Sequence, residues 1–455
     1  MLFSELNLPA ALAQGVADVD YVAMTPVQAA SLPAILAGGD VIAEAHTGSG
    51  KTAAFALGLL AALEPGFSTV QGLVLCPTRE LADQVSREVR RLARAIPNVK
   101  VLTLCGGVPL RPQLASLSHL PHIVVGTPGR VQELIERQVL PLDTVKVLVL
   151  DEADRMLDMG FEETIELVVS AVPSARQTLL FSATIPAAIR AVSRRLQRAP
   201  LDVSIDDAEL RPEIEQRFYK VEGDQKLAAL RALLLDCQAE SAVVFCNTRH
   251  EVRSVESYLV SNDFTALALH GDLEQREREE MLVRFANRSC TVLVASDVAA
   301  RGLDIADLAL VVNYELASDA DTHLHRIGRT ARAGRSGLAL NLCASRDSGR
   351  LRAICEANDA TVQWSVLPKA QGQPAPAPFV TLVIDAGRQD KLRPGDLLGA
   401  LTGGAGLPAD AVGKIDVFAT RSYVAIAREA VDSARRGLRA GKIKGRNFRV
   451  RELSI

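Results

Sequence analysis

The stretch Val145-Lys146-Val147-Leu148-Val149-Leu150-Asp151-Glu152-Ala153-Asp154 decides the fold class of this 455-residue chain. Its apolar first part is typical of a strand buried on both faces of a parallel sheet. Its acidic end presents Asp151 and Glu152 where the strand stops, as in sites that hydrolyse nucleotides. The tetrapeptide alone is a weak signal, because acidic clusters after strands are often solvated loop starts.

A phosphate-binding loop lies upstream of that acidic strand end. It follows the strand-like run at 41–43, opens a helical stretch and consists of Ala45, His46, Thr47, Gly48, Ser49, Gly50, Lys51 and Thr52. Glycines let the backbone wrap around phosphates, and the start of a helix adds amide donors and a favourable dipole. Lys51 can reach the β- and γ-phosphates, and the Thr52 hydroxyl can ligate Mg²⁺. Ala45 stands where the strict pattern has glycine. Lys51 and Asp151 still make a Walker-type pair, which predicts hydrolysis of a nucleoside triphosphate.

We expect two carboxylates and three spaced arginines to have separate roles in hydrolysis. We expect Asp151 to hold Mg²⁺ through water and Glu152 to orient or deprotonate the attacking water, because phosphoryl transfer needs positioning and charge compensation. Arg326, Arg329 and Arg332 are spaced three apart and cannot all be core residues. They form either a solvated helix face or arginine fingers that act across a cleft between two domains.

The composition is that of a soluble globular protein. Hydrophobic residues make up 48% and charged residues 23%, and a chain of 455 residues exceeds one core, so two or three domains are expected. The seven cysteines form no C-x-x-C pair, which favours a reducing compartment over disulfides or zinc. The N-terminus has no basic region, and the longest apolar run, 53–63, is too short to span a bilayer. We therefore expect a cytoplasmic protein that does not bind membranes.

Strand-like apolar runs alternate with amphipathic helical stretches through most of the chain. This order predicts an α/β fold with parallel sheets covered by helices on both faces. The polar stretch at 202–211 predicts a linker between a first domain, residues 1–205, and a second domain, residues 212–366. The proline-rich residues 367–378 predict a semi-rigid linker to a third domain.

Residues 379–455 form the third predicted domain, in the RRM-like order βαββαβ. This segment holds 14 Lys and Arg against 8 Asp and Glu, a balance of +6, whereas the whole chain carries −3. A basic tail on an acidic body indicates contact with a polyanion, although a few solvated lysines would give the same balance.

The basic residues of this domain gather near its last strand, at Lys442, Lys444, Arg446, Arg449 and Arg451. Its third strand offers only Tyr423 where an aromatic-rich RRM platform has several rings. We therefore expect RNA binding at a basic edge or loop surface rather than on the usual sheet face.

From residue 3 to residue 342 the order of motifs resembles the DEAD-box RNA helicases of helicase superfamily 2, which implies two tandem RecA-like domains. The segment 21–28, Tyr-Val-Ala-Met-Thr-Pro-Val-Gln, is similar to the Q motif, which recognises adenine in that family. The resemblance implies ATP as the nucleotide, with Thr25 and Gln28 at the adenine, Tyr21 stacked on it and Phe3 as the isolated upstream aromatic. Asp20 stands where the family often has glycine.

Further segments resemble the motifs that line the RNA path in this family. They contain Pro77, Thr78, Arg79, Gly106, Gly107, Thr127, Pro128 and Arg130 in the first domain, and Asn247, Thr248, Gln275, Arg278 and Ser296 in the second. Small residues, exposed amides and arginine suit contacts with a sugar–phosphate backbone. Ser296 stands where threonine is usual.

Other matches concern the coupling of hydrolysis to RNA. Ser182, Ala183 and Thr184 match the segment that couples hydrolysis to strand separation in the family. The resemblance also implies that Arg329 and Arg332 are arginine fingers. It further implies that His325 is a link to the acidic motif and that Asp304 lies near the ribose.

The tail segments 393–401, 413–415 and 441–446 are similar to the C-terminal domain of DbpA-type helicases. That resemblance implies binding to a hairpin of large-subunit (23S) ribosomal RNA, and action on pre-50S particles during ribosome assembly. The expected activity is that of a monomeric ATP-dependent RNA helicase. An ATP-switched RNA clamp or annealing chaperone without productive unwinding fits the same motifs, and a DNA helicase is a more distant alternative.

Overall fold

The computed structural model describes residues 1–45, 48–205, 214–300, 308–330, 337–357 and 361–453, without the side chains of Val298 and Ala300. These residues divide into two units, of which the first lies within residues 1–205 and the second within residues 214–453. None of the helices in this described part of the chain has the length and apolar character needed to span a bilayer.

Seven parallel strands form the sheet of the first unit, in the order β3-β4-β2-β5-β6-β1-β7. They are β1 (Val41–Glu44), β2 (Gly72–Leu75), β3 (Val101–Leu104), β4 (Ile123–Gly126), β5 (Val147–Asp151), β6 (Gln177–Ser182) and β7 (Leu201–Ser204). Val147 and Val149 of β5 enter one hydrophobic core, whereas Leu148 and Leu150 enter another. Full burial of such a side chain stabilises the fold by about 1.5–3 kcal/mol, so both faces of the strand must be apolar.

Helices cover both faces of this sheet. They are α1 (Ala10–Ala17), α2 (Pro26–Leu36), α3 (Lys51–Ala61), α4 (Arg79–Leu92), α5 (Leu110–Leu117), α6 (Pro128–Glu136), α7 (Ala153–Asp158), α8 (Glu162–Ser170) and α9 (Ala187–Leu196), with short 3-10 turns at Phe3–Glu5 and Ala93–Ala95. The starts of two helices follow from their capping residues: Thr25 accepts the backbone N–H of Gln28 ahead of α2, and Thr78 accepts that of Leu81 in α4.

The second unit contains a six-stranded parallel sheet in the order β10-β11-β9-β12-β13-β8. Its strands are β8 (Ile214–Lys220), β9 (Ala242–Cys246), β10 (Ala266–Leu269), β11 (Val292–Ser296), β12 (Leu310–Asn313) and β13 (Gly337–Cys343). Its helices are α10 (Lys226–Cys237), α11 (Arg249–Val260), α12 (Gln275–Ala286), α13 (Asp297–Ala300), α14 (Ala320–Ile327) and α15 (Ser348–Ala357), with 3-10 turns at Gly223–Gln225 and Ser345–Asp347.

The same unit ends in a four-stranded antiparallel sheet, in the order β15-β16-β14-β17. Its strands are β14 (Phe379–Ile384), β15 (Val412–Val417), β16 (Ser422–Ala427) and β17 (Val450–Glu452). Helices α16 (Pro394–Gly399) and α17 (Val431–Ala440) pack on one face, with a π-helical turn at Ala400–Gly404 and 3-10 turns at Arg388–Asp390, Ala409–Ala411 and Arg428–Ala430.

The predicted fold class is confirmed: two RecA-like parallel-sheet domains precede a small antiparallel RRM-like domain. The prediction that 202–211 is all linker was wrong, because residues 201–204 form β7 and pair with β1. In β7 only Val203 is buried, and the edge strand β8 is also mostly polar, so neither has the apolar run of a central strand. Residues 206–213 lie outside the described part.

Candidate nucleotide and RNA sites

The order of strands in the first sheet sorts the predicted motifs into two groups. Strands β5, β6 and β1 are neighbours, and their ends carry the acidic motif, the segment 182–184 and the phosphate loop. Strands β3, β4 and β2 are also neighbours, and their ends carry the segments 106–107, 127–130 and 77–79. Because parallel strands end at one edge of a sheet, the nucleotide and RNA motifs occupy adjoining halves of the same edge.

The phosphate loop has the backbone geometry of an anion cradle. Gly48 and Gly50 have φ angles of 93° and 90°, which only glycine adopts without strain. A Cβ on Gly50 would lie 2.5 Å from Nε2 of Gln28, so the position also needs glycine for space. Helix α3 begins immediately afterwards at Lys51, followed by the half-buried Thr52. His46 and Thr47 lie outside the described residues.

Lys51 and Asp151 form a buried ion pair at the start of α3 and the end of β5. Lys51 Nζ lies 3.5 Å from Asp151 Oδ1, and the two residues are 4% and 0% exposed. Within the described residues, neither Nζ nor either carboxylate oxygen has a hydrogen-bond partner. Buried polar atoms are rarely left this way in a purely structural pair. The free hydrogen-bonding capacity therefore fits a phosphate at Lys51 and a hydrated metal ion at Asp151.

The pKa shifts of this pair favour the binding of a negatively charged ligand at Lys51. Burial raises the pKa of the Asp151 carboxyl to about 6, although Lys51 opposes the shift. Burial disfavours the Lys51 charge, yet the carboxylates of Asp151, Glu152 and Asp154 outweigh it and raise the pKa of the ammonium above its ordinary value. Lys51 therefore stays cationic in a buried position, which is what binding of a polyphosphate requires.

Glu152 occupies a strained backbone position at the start of α7. Its φ is 53° and its ψ is 54°, the left-handed region that non-glycine residues rarely adopt. The residue is 8% exposed. Such strain costs on the order of 1–3 kcal/mol and is concentrated at functional sites. The chain turns at this residue, between the end of β5 at Asp151 and the start of α7 at Ala153.

The acidic motif contacts the segment at the end of β6 directly. Asp154 N–H donates to Ser182 Oγ at 3.3 Å, and Thr184 Oγ1 donates to Asp154 Oδ2 at 3.4 Å. Ser182 O in turn accepts the backbone N–H of Ala45 in the phosphate loop at 2.8 Å. The partly exposed Ala183 lies between the two hydroxyl residues. One short chain of hydrogen bonds thus joins three predicted motifs.

In the Q-like segment, Gln28 links α2 to the phosphate loop. It is 4% exposed, its Nε2 donates to Gly50 O at 3.0 Å, and its Oε1 accepts Thr25 N–H at 2.9 Å. Phe3 is buried and stacks on Tyr21, with ring centroids 5.7 Å apart. Two residues that the sequence motifs did not single out hold Tyr21 from α4: its hydroxyl donates to Glu88 at 2.7 Å, and the Arg91 guanidinium lies 5.3 Å from its ring centroid.

On the other half of the edge, the predicted RNA residues lie at the ends of β3, β4 and β2. Gly106 N–H donates to Thr127 Oγ1 at 3.2 Å, which joins the ends of β3 and β4. Gly107 has a φ of 73°, and Pro128 is the first residue of α6. Arg130 is 9% exposed and donates to Val108 O at 3.1 Å, so it holds the loop between β3 and α5. Pro77 and Arg79 flank the capping residue Thr78 at the end of β2.

A buried arginine, paired with a partly exposed carboxylate, dominates the parallel sheet of the second unit. Arg326 is 2% exposed, and its guanidinium binds Asp297 through two bonds of 2.6 and 2.7 Å. It also donates to Asn313 Oδ1, Glu315 O and Asn247 Oδ1, at 3.1, 2.7 and 2.7 Å. The sequence motifs named Arg326 only as one of three spaced arginines. The signal that could have predicted the burial of Arg326 is the presence of Asp297 and Asn313 at the ends of two apolar strands, since a buried arginine needs such partners.

The remaining predicted residues of this unit lie at or near the ends of its strands and helices. Asn247 is held by Arg326 and donates from Nδ2 to Leu316 O at 3.0 Å, while Thr248 caps α11. Gln275 begins α12, Arg278 donates to Ala299 O at 2.6 Å, and Ser296 is buried at the end of β11. His325 and Arg329 are partly exposed at the end of α14. Arg332 and Asp304 lie outside the described residues.

Comparisons with known proteins decide the family. Models of three families match: the DEAD/DEAH box helicase over residues 25–192, the helicase conserved C-terminal domain over 225–334, and the DbpA RNA binding domain over 381–452. The chain is 53% identical over 454 residues to the ATP-dependent RNA helicase DbpA of Escherichia coli, which covers 99% of both chains. The chain belongs to the DEAD-box RNA helicases of the DbpA type. It is therefore an RNA-dependent ATPase and helicase.

Other DEAD-box helicases resemble the chain over a shorter region. The helicase CshA of Bacillus cereus is 42% identical over 353 residues, which cover 77% of this chain and 67% of that protein. The structure of Saccharomyces cerevisiae Dbp5 bound to RNA and ADP BeF3 matches with a TM-score of 0.71 and 29% identity, over 80% of this chain and 95% of that one. The structure of Mss116p bound to ssRNA and AMP-PNP matches with a TM-score of 0.71 and 27% identity, over 81% of this chain and 79% of that one.

The DbpA-type domain of this helicase brings two basic loops together. Lys444 Nζ donates to Lys391 O at 2.8 Å and lies 3.6 Å from Asp396. The loop around residue 390 and the loop around residue 444 are therefore neighbours. Their exposed cations are Arg388, Lys391, Arg393, Lys442, Lys444, Arg446 and Arg449. We name these seven residues the basic loop surface.

Proposed function

We propose that this DEAD-box RNA helicase unwinds short duplexes in large-subunit (23S) ribosomal RNA, which it holds by the basic loop surface. The observation that carries the proposal is the convergence of seven exposed cations on two adjacent loops. The likeness over full length to an RNA helicase named DbpA supports the same assignment. Lysine and arginine on exposed loops suit the phosphates of a folded RNA hairpin, whose shape rather than sequence they contact. We further propose a cytoplasmic monomer that acts on pre-50S particles.

The proposed chemistry uses ATP and Mg²⁺ at the end of β5. Lys51 binds the β- and γ-phosphates, and the amides of residues 48–52 surround them. Thr52 and Asp151 would hold Mg²⁺, which would offset phosphate charge when bound. Glu152 orients the attacking water or takes its proton. Arg329 and Arg332 are the proposed arginine fingers, His325 the proposed link to the acidic motif, and Asp304 the proposed ribose contact.

The proposed RNA path follows the ends of β2, β4 and β3 in the first unit. Thr78 and Thr127 offer hydroxyl donors to phosphates without reading bases, and the bond from Gly106 N–H holds Thr127 in place. Because β2 pairs directly with β5, this path borders the nucleotide half of the edge. The contact of Asp154 with Ser182 and Thr184 supports a coupling role for the segment 182–184.

The test measures ATP turnover by the whole protein against a panel of RNAs. We expect 23S ribosomal RNA to stimulate turnover more strongly than random RNA of the same length, and to lose that advantage in Lys442→Gln/Arg446→Gln. The control is Arg435→Gln/Arg436→Gln, which removes two charges from α17 instead. Equal stimulation of the unaltered protein by both RNAs would contradict the targeting proposal.

A displacement assay separates unwinding from clamping. The substrate is a short duplex joined to a 23S ribosomal RNA hairpin, and the readout is release of the shorter strand. We expect release that depends on ATP and stops in Glu152→Gln, which keeps ATP and RNA binding. RNA-stimulated hydrolysis without any release would indicate the ATP-switched clamp instead.

A further inference from the structure

The Tyr21 ring in the Q-like segment contacts three side chains from other parts of the first unit. Phe3 stacks on it, with ring centroids 5.7 Å apart and planes 22° from parallel. The Tyr21 hydroxyl donates to Glu88 Oε1 at 2.7 Å, and the guanidinium carbon of Arg91 lies 5.3 Å from the ring centroid. Tyr21 nevertheless remains partly exposed. The ring is therefore restrained by its neighbours while part of the residue stays open to a ligand.

The carboxylate of Glu88 is itself held in place within α4. Its second oxygen, Oε2, lies 3.4 Å from Arg91 Nε, one turn further along the helix. The Glu88 side chain is 19% exposed, whereas that of Arg91 is 43% exposed. One carboxylate thus bridges a phenol and a guanidinium, and hydrogen bonds to a charged group are stronger than those between neutral groups.

Helix α4 is a rigid support for this carboxylate. Val85, Val89 and Leu92 of the helix are 0% exposed and enter the same hydrophobic core as Phe3. Side chains on a packed helix are placed more precisely than side chains on a loop. Tyr21 lies between α1 and α2, outside either helix, so the orientation of its ring depends on contacts from other elements.

The Q-like segment that carries this ring is tied to the phosphate loop. Gln28 Nε2 donates to Gly50 O at 3.0 Å, and Gln28 Oε1 accepts Thr25 N–H at 2.9 Å. The resemblance to the DEAD-box family implies that the adenine of ATP stacks on Tyr21. Burial, followed by the bond to Glu88, raises the pKa of Tyr21 to about 12, so its phenol is a hydrogen-bond donor at neutral pH.

We infer that Glu88 is a positioning residue for ATP binding, which fixes the Tyr21 ring in the orientation on which the base stacks, and that Arg91 holds Glu88. The inference rests on the proposed function, because it requires the nucleotide at the end of β5 to place its base on Tyr21. A ring that is already oriented loses less conformational freedom when the base binds, which favours binding. Neither α4 residue is among the groups proposed to contact the phosphates or the attacking water.

A purely structural role of Glu88 would have different consequences. If Glu88 only tied α4 to the loop, its loss would weaken every ligand of the site through the shared fold. If Glu88 orients the Tyr21 ring, its loss should weaken only those ligands that carry a base. Inorganic triphosphate has the phosphates without the base, so it distinguishes the two roles.

The test compares Glu88→Ala, Glu88→Gln and Tyr21→Phe in the full chain. Glu163→Ala is the matched control, because Glu163 is exposed on α8, a helix that packs in the other core of the same unit. ATP turnover at saturating random RNA gives kcat and KM. Inhibition of that turnover by inorganic triphosphate reports binding of the phosphates alone, and Tyr21→Ala measures what the ring contributes.

We expect Glu88→Ala to raise the KM for ATP about fivefold and to leave kcat within about twofold, because it removes binding rather than chemistry. Glu88→Gln keeps an acceptor for the phenol and should restore most of the affinity. Tyr21→Phe should raise the KM about as much as Glu88→Ala, and the double variant should be no weaker than either, because both changes remove the same bond. Inhibition by triphosphate and all values for Glu163→Ala should stay within about twofold of the unaltered protein.

Two results would overturn this inference alone. One is an unchanged KM for ATP in Glu88→Ala while Tyr21→Ala raises it, which would show that the ring binds the base without help from α4. The other is an equal loss of affinity for ATP and inorganic triphosphate, which would make Glu88 a structural residue of the whole site. If Glu88→Ala does not fold, Tyr21→Phe supplies the same readouts. An unchanged KM in Tyr21→Ala would contradict the proposed position of the nucleotide together with this inference.

Discussion

The two RecA-like sheets each contain a buried cation paired with a carboxylate, but the two pairs differ in how completely they are bonded. In the first unit Lys51 and Asp151 are 3.5 Å apart, and their polar atoms have no hydrogen-bond partner among the described residues. In the second unit the Arg326 guanidinium forms five hydrogen bonds of 2.6–3.1 Å. The first pair has capacity left for a ligand, whereas the second is already saturated.

This difference separates a binding site from a structural connection. Desolvating a charge is costly, so a buried charge without enough hydrogen-bond partners is retained only where a bound ligand supplies the missing ones. A saturated pair instead fixes the elements that supply its partners, here the strand ends of β9, β11 and β12 and helix α14. The first pair should therefore matter for turnover and the second for folding.

The largest expected effect tests the unsaturated pair. Lys51→Met should reduce RNA-stimulated ATP turnover about a thousandfold or more, because the phosphates lose their buried cation. Its thermal unfolding midpoint should change little, since Asp151 can take up a proton. The control is Lys146→Met, whose pair with Glu64 lies at the surface. A large loss of stability with intact turnover would reverse the assignment.

The saturated pair is tested by Arg326→Met. Removal of the guanidinium leaves Asp297 and Asn313 without their partner, and the free energy of unfolding should fall by about 3–5 kcal/mol in urea. Arg195→Met, at an exposed pair with Glu162 and Glu166, should change the free energy of unfolding little. A variant that keeps full stability but loses ATP turnover would show that Arg326 acts in catalysis rather than in folding.

A pH titration sharpens the same comparison, because His323 lies beside the saturated pair. Its Nε2 is 2.9 Å from Gln216 Oε1, and burial, with Arg326 nearby, lowers its pKa to about 4. The pKa of His323 is lower in the folded protein than in the unfolded chain. The contribution of neutral His323 to the free energy of unfolding is therefore present above about pH 6.5 and is lost as the pH falls towards 4. It amounts to about 3 kcal/mol. The thermal midpoint of His323→Gln should depend less on pH over that range; an equal dependence would contradict the assignment.

The smallest expected effect concerns the cradle of the unsaturated pair. Gly50→Ala places a Cβ against Gln28 at a φ of 90° and should weaken ATP binding about tenfold, or about 1–2 kcal/mol. Gly66→Ala is the control, because a Cβ there meets nothing within 4 Å. Nucleotide titration by fluorescence measures both. Unchanged ATP binding in Gly50→Ala would mean that the loop accepts a Cβ at this position without losing its binding geometry.

Sequence reasoning identified the features whose signal is local. The central strands are continuous apolar runs, and the phosphate loop is a run of neighbouring residues, so both could be predicted. The edge strands β7 and β8 were missed because they are mostly polar and bury few side chains, which leaves neither an apolar run nor a regular alternation. Partnerships across long separations were also missed: Arg326 with Asp297, Phe3 with Tyr21, and Thr381 with Asn287. Each depends on how distant segments pack, which no local pattern contains.

One sheet face of the DbpA-type domain packs on α12 through Val383, Tyr423 and Val283, and this contact has a consequence for building chimeras. Grafting residues 367–455 onto another DEAD-box core would transfer the basic loop surface but leave Val383 and Tyr423 without their partner. The acceptor would need Val283 and Glu280 on its own equivalent of α12, together with the residues that bond Thr381. The transferable module is thus the domain plus one helix face, and a graft of the domain alone should give an adaptor that binds RNA without directing the motor.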